Sequence, residues 1–208
     1  VNELLSTNRR ADAERATALV ELALSRNPND LVLKRLLAIA LRQYDLDRAV
    51  SVSRGLIDSP TPPVSLESAF RDEIRSDAAE RVFDIEIAKA RVAEDETIRR
   101  GHIQNAEKMR DLLVELTRGG PADNPRLLKS EAKLALLAGD LVTASARLDR
   151  IIRQDAADAE VFLLAADAAA RRNELGLALN RINQGIERAG PTYAFLLAKA
   201  KVELGLRR

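Results

Sequence analysis

The sequence predicts an all-α solenoid of stacked antiparallel helix pairs. Three observations lead there. Apolar residues recur on a 34-residue offset through the C-terminal half, and within each unit they fall at helical intervals interrupted by one tight turn. The composition also suits helix on helix. Of 208 residues, 46% are hydrophobic but only 3% are aromatic and none is Trp, so Ala and Leu do the packing, as they do where helices approach closely. A fixed period of this length marks architectures in which each unit buries its apolar face on its neighbours.

Taken in order, residues Asn2 to Asn8 read as the tail of a first helix, so that the chain begins inside a unit. Ala16, Val20 and Ala23 give the helix that follows, ending at Asn27, Pro28, Asn29 and Asp30. Leu33, Leu37 and Ala40, a turn at Tyr44 and Asp45, then Leu46, Ala49, Ser53 and Leu56 give a full helix pair that closes at Pro60. From Thr61 to about Glu86 the register lapses. Pro62 and Pro63 start a helix through Leu66, Phe70 and Ile74, and Asp77 with Glu80 has the spacing of a capping box that would open another. Continued through Val82, Ile85 and Val92 to Ile98, that helix would be paired, after a turn at Gly101, by Ile103, Ala106, Met109 and Leu113. Ala106 and Ala144 are 38 residues apart, which places an insertion of four in the loop from Gly119 to Asn124, the candidate hinge.

The C-terminal half keeps strict time. A shift of 34 places Leu128 on Phe162 on Leu196, Ala132 on Ala166 on Ala200, Leu141 on Leu175, Ala144 on Ala178 and Leu148 on Ile182. Leu128, Ala132 and Ala135 precede a break at Gly139 and Asp140; Leu141, Ala144, Leu148 and Ile151 follow it. Gly139 supplies the positive φ of a helix C-terminus, and Asn173 holds the equivalent place with the next best tolerance for it. Pro125 opens one unit, and Gly190 with Pro191 precedes the last helix, which contains Tyr193, Leu196, Leu197 and Ala200.

At these residues the chain resembles the tetratricopeptide repeat family, whose 34-residue unit has small residues at the helix crossing and a Pro or polar turn between units. The family's hallmark aromatics are mostly absent, so each unit is a degenerate copy. The resemblance implies a right-handed superhelix in which the first helix of each unit lines a concave groove, and it makes Asn27 to Asp30 an interunit turn. It divides the chain into N-terminal helix pairs over 1–63 (the first truncated), an irregular helical segment over 64–86, and C-terminal units over 87–208, comprising 87–124, 125–158, 159–192 and a final unpaired helix 193–208.

Charge and residue inventory exclude most chemistry. Thirty-three Lys and Arg against thirty-two Asp and Glu give a formal charge of +1, no basis for an electrostatic grip on nucleic acid or anionic lipid. Runs such as Arg9–Arg10, Arg99–Arg100 and Arg171–Arg172 are offset by neighbouring acids and carry no aromatics for stacking bases. Zero cysteines remove disulfides, zinc thiolates and thiol nucleophiles. His102 is the only histidine and reads as a surface or capping residue beyond the Gly101 turn. Gly119 and Gly120 lead into Pro121 rather than a phosphate-binding Lys, and the Glu94, Asp95, Glu96 run reads as a solvated face. No run reaches the ~18 to 20 apolar residues that span a bilayer, and the first residues do not read as the basic, apolar and small-residue pattern of a signal peptide. No enzyme activity, cofactor or metal is expected.

The expected function is a protein–protein interaction module that holds a peptide or protein partner on its concave face, as part of a larger protein or assembly. By helical spacing Arg126, Lys129 and Lys133 form one groove stripe, Glu160, Asp167 and Arg171 form the next, and Lys34 lies earlier. The Lys129 and Lys133 stripe suits the carboxylates of a partner segment. The alternative is a structural spacer or homo-oligomer joined through the solenoid ends. The Ala, Leu, Arg and Asp richness suggests a bacterial source, with cytoplasm and periplasm equally compatible and envelope, secretion or polysaccharide-export machinery as the setting. The Val1 start and the unfinished helix at Leu206, Arg207 and Arg208 suggest a piece of a longer protein.

Overall fold

The computed structural model describes residues 9–59, 66–117, 123–155 and 157–206. The expectations for Asn2 to Asn8, Pro60, Pro62, Pro63, Gly119 to Ala122, Arg207 and Arg208 lie outside the described residues. Among those described there are ten helices and no strand: α1 (Arg10–Arg26), α2 (Leu31–Leu41), α3 (Leu46–Ile57), α4 (Leu66–Val92), α5 (Glu96–Leu116), α6 (Pro125–Ala138), α7 (Leu141–Arg153), α8 (Ala159–Arg171), α9 (Leu175–Ala189) and α10 (Tyr193–Leu206). They belong to two compact units, Val1–Arg118 and Gly119–Arg208.

In the first unit each helix packs on the next, and α2 also touches α4. Side-chain caps set the starts: the Asp30 carboxylate accepts from the Val32 and Leu33 amides at 2.9 and 3.0 Å, and that of Asp45 from the Arg48 amide at 3.1 Å, satisfying donors that a helix start leaves free. One core joins Val20 of α1, Leu37 and Leu41 of α2, Ala49 of α3 and Ile85 of α4. A second joins Leu56 and Ile57 of α3, Ile74, Ala78, Ala79 and Val82 of α4, and Leu113 of α5.

Two expectations for this stretch need correction. No new helix opens at Asp77: α4 runs unbroken through it, because Ala78, Ala79, Val82 and Phe83 are all buried and keep the apolar stripe continuous. Asp77 is instead ion-paired with Arg35 of α2. Nor is Gly101 a turn. Asp95 accepts from the Thr97 and Ile98 amides at 2.8 and 2.9 Å and starts α5 at Glu96, which leaves Gly101 inside the helix. His102 is therefore not a cap. It is half-buried in α5, with Nδ1 2.6 Å from Oε2 of the buried Glu86 on α4.

The second unit follows the period. Asn124 caps α6 through the Arg126 amide at 3.0 Å, with Pro125 in the first turn. Gly139 closes α6 at φ +79° and Asn173 takes φ 63° after α8, the left-handed conformations expected of them. The Asp140 carboxylate accepts from the Thr143 amide at 3.0 Å to start α7. Hydrogen bonds from Thr143, by side chain and then backbone, hold this exposed carboxyl below the ordinary aspartate range.

The first helices here have two working faces. Val161, Leu164, Ala165 and Ala168 of α8 join the core of α6 and α7, while Phe162, Ala166 and Ala169 join the core of α9 and α10. One period later, Phe195 and Val202 of α10 occupy the backward-facing places of Val161 and Ala168, and both are buried. Leu196 and Ala200 occupy the forward-facing places of Phe162 and Ala166, and both are exposed, since no described helix follows to cover them.

Candidate functional site

The inner positions of the first helices recur in threes: Arg126, Glu160 and Ala194; Lys129, Leu163 and Leu197; Lys133, Asp167 and Lys201. The same register therefore carries different chemistry at its two steps.

Between α6 and α8 the step is closed by charge. Lys129 Nζ lies 3.2 Å from Asp158 Oδ2 and 3.5 Å from Glu160 Oε2, and Lys133 Nζ lies 2.8 Å from Glu160 Oε1. Lys133 is only 4% exposed, so its ammonium is enclosed and its partner matters more than at a surface pair. Asp158 is bound from both sides, since it also caps α8 through the Val161 amide at 2.9 Å. The two expected stripes thus meet each other: Lys129 and Lys133 of one hold Glu160 of the other. A partner carboxylate arriving at these lysines competes with Glu160. Arg126 stands half-buried in the first turn of α6. Arg171 pairs with Asp167 at 3.1 Å and also donates to the Leu136 carbonyl at 3.1 Å, satisfying an acceptor in the last turn of α6. Lys34 lies half-buried on α2 of the first unit.

Between α8 and α10 the step is open. Leucine replaces Lys129 at positions 163 and 197, and Ala194 replaces the glutamate. What remains is an apolar groove of about 310 Å³ floored by Leu163, Ala166, Ala170, Leu197 and Ala198, with Asp167 and Lys201 as its charged members. That volume is at the small end of cavities that hold a ligand, enough for one or two apolar side chains. Leu163, Leu197, Lys201 and Asp158 lie outside the charged stripes that helical spacing marks. Extending the 34-residue offset from the core positions to the groove positions reveals the first three.

Among the described residues no group of three or more His, Asp or Glu side chains is placed to hold a metal ion, and no helix is long and apolar enough to cross a membrane.

Helix pairs on a 34-residue period, with small residues at their crossings and left-handed turns between, make this chain an all-α solenoid with the fold of tetratricopeptide repeat proteins. Among solved structures it is similar to TTC0263, a thermophilic tetratricopeptide repeat protein of Thermus thermophilus, with a TM-score of 0.67 and 20% identity over 93% of this chain and 92% of that one. The Cut9–Hcn1 hetero-tetramer of the APC/C also matches, at a TM-score of 0.48 and 15% identity, over 98% of this chain and 42% of that one. No family model and no curated protein sequence matches the chain.

Proposed function

We propose that this chain is a non-catalytic scaffold that binds a segment of another protein, with residues 125–158 and 159–192 as successive repeat units and the groove between α8 and α10 as the principal contact. The observation that carries the reading is the change of chemistry at one repeat register: Lys129 and Glu160 close the earlier step, while Leu163, Leu197 and Ala194 leave the later one open and apolar. A partner fitting it presents an apolar side chain to the groove floor and a polar or charged flank to Asp167 and Lys201. Arg126, Lys129, Lys133, Glu160 and Arg171 form the charged wall beside it, and Lys34 is a separate contact on the first unit.

Leu197 is a suitable probe because it is 42% exposed, and a charge there leaves the core of α8, α9 and α10 in place. With a partner identified by affinity capture from the source cells and mass spectrometry, Leu197→Glu is expected to weaken binding about tenfold, near 1.4 kcal/mol. Val142→Glu, at an exposed site on the second helix of the pair, is expected to leave it unchanged. Equal affinity for both variants would sink the groove assignment.

A second reading rests on the exposed forward face of α10, where Leu196 and Ala200 hold places that are buried at Phe162 and Ala166. Stacking of another helix there makes the chain a spacer or a self-assembling element. Light scattering across a hundredfold dilution is expected to show falling mass in that case, and a constant monomer mass excludes self-assembly through this face.

A further inference from the structure

The groove between α8 and α10 carries two charged side chains, and they are not in the same state. Asp167 Oδ2 lies 3.1 Å from Arg171 Nε, and Arg171 is held in place by a further hydrogen bond to the Leu136 carbonyl at 3.1 Å. A partner cation reaching Asp167 has to break that pair. Lys201 is exposed at the groove and, among the described residues, has no ion-pair partner. The groove therefore presents an apolar floor with one uncompensated positive charge at its rim.

The second unit itself shows how this register holds a carboxylate. On α6, Lys129 and Lys133 stand one turn apart, with Nζ atoms 3.5 and 2.8 Å from the Glu160 oxygens. By the 34-residue offset taken twice, Leu197 of α10 stands where Lys129 does and Lys201 where Lys133 does. On α10 one carboxylate-binding position is thus retained beside an apolar one. The two are four residues apart, about 6 Å along the helix. In an extended chain, side chains two residues apart share a face and lie about 6.6 Å apart.

We propose that the groove selects an acidic protein segment, which seats an apolar side chain against Leu197 and brings a carboxylate, two residues away in extended conformation, to Lys201. The inference rests on the groove between α8 and α10 being the contact surface, and adds the sign of charge that this surface selects. An exposed ammonium–carboxylate pair contributes modestly and is screened by salt. It sets the preference among segments, while the apolar contact supplies most of the affinity.

The test is NMR titration of the isotope-labelled whole chain with acetyl-Ser-Glu-Ser-Leu-Ser-Glu-Ser-amide, in which a glutamate stands two residues from the leucine in either chain direction, and with its Gln and Lys twins. Amide shifts at Leu197 and Lys201 report occupancy. The wild type is expected to bind the Glu peptide about threefold more tightly than the Gln peptide at ~20 mM salt, and the difference should fade at ~500 mM. Lys201→Met should equalise the two, Lys201→Glu should favour the Lys peptide, and Val142→Glu should keep the wild-type order. Equal binding of the three peptides by the wild type, weakened by Leu197→Glu, overturns the acidic preference and leaves the groove standing. A wild-type preference for the Lys peptide assigns the rim to Asp167 and overturns the proposal as well. Binding of none of the three, or binding that Leu197→Glu does not weaken, removes the groove assignment and this inference with it.

Discussion

Gly185→Ala is expected to destabilise the second unit by about 2 kcal/mol, although alanine is the better helix former by about 1 kcal/mol. Gly185 is buried in α9, where that helix crosses α8 and α10. A methyl group there would stand 2.5 Å from Phe195 Cζ and 2.9 Å from Phe162 Cβ. The Phe195 ring is fully buried, and Cβ of Phe162 is fixed to the α8 backbone, so neither can yield without moving a helix. Overpacking of this kind costs roughly 3 kcal/mol, which outweighs the gain in propensity. Gly176→Ala on the same helix is the control. Nothing lies within 4 Å of its added methyl, and it is expected to gain about 0.5 to 1 kcal/mol. Opposite shifts in urea midpoint, with unchanged slope, are the expected result. Adding Phe195→Leu to Gly185→Ala should recover about 1 kcal/mol as coupling, because the clash and the ring edge are removed together. Equal destabilisation by both glycine variants would show that α9 does not approach its neighbours so closely.

That close approach also shows where the sequence was informative. Leu128, Ala132, Ala144, Leu148, Phe162, Ala166, Ala178 and Ile182 stand on the 34-residue period, and all are buried. The repeat makes each of them a core position twice over, once by helical spacing and once by recurrence. Gly185 escaped notice because its role depends on Phe195, ten residues away across a turn, and no local pattern encodes such a crossing. The middle of the chain misled for a different reason. Asp77 and Glu80 fit a capping box and Gly101 fits a turn, but local signals compete with long-range partners. Arg35 engages Asp77, and the Asp95 cap starts α5 before Gly101 is reached. In the groove, charge type was readable and pairing was not. Which lysine meets which carboxylate depends on the lateral step between α6 and α8.

Glu160→Ala tests how much that step matters. Lys133 keeps about 5% of its side chain exposed and rests against Glu160 at 2.8 Å. Removing the carboxylate takes the 2.8 Å ion pair from an enclosed ammonium, while Asp158 is bound to Lys129 and to the cap of α8. A fully buried pair broken in this way costs about 3 to 5 kcal/mol, but Glu160 is 46% exposed, so water screens part of the loss and about 2 kcal/mol is expected. Some of that is unrelated to lysine, since Glu160 also lies in the first turn of α8, where a negative charge favours the helix dipole by about 0.3 to 1 kcal/mol. Lys133→Met separates the two. It removes the buried charge while keeping the aliphatic stem, and it is expected to change stability by less than about 0.5 kcal/mol. In the double variant the dipole loss remains and the cost of the broken Lys133–Glu160 pair does not, so a coupling energy near 1 to 1.5 kcal/mol should appear in the cycle. Additive effects within about 0.3 kcal/mol would mean that Glu160 acts on the helix end alone and that the step between α6 and α8 is held by packing.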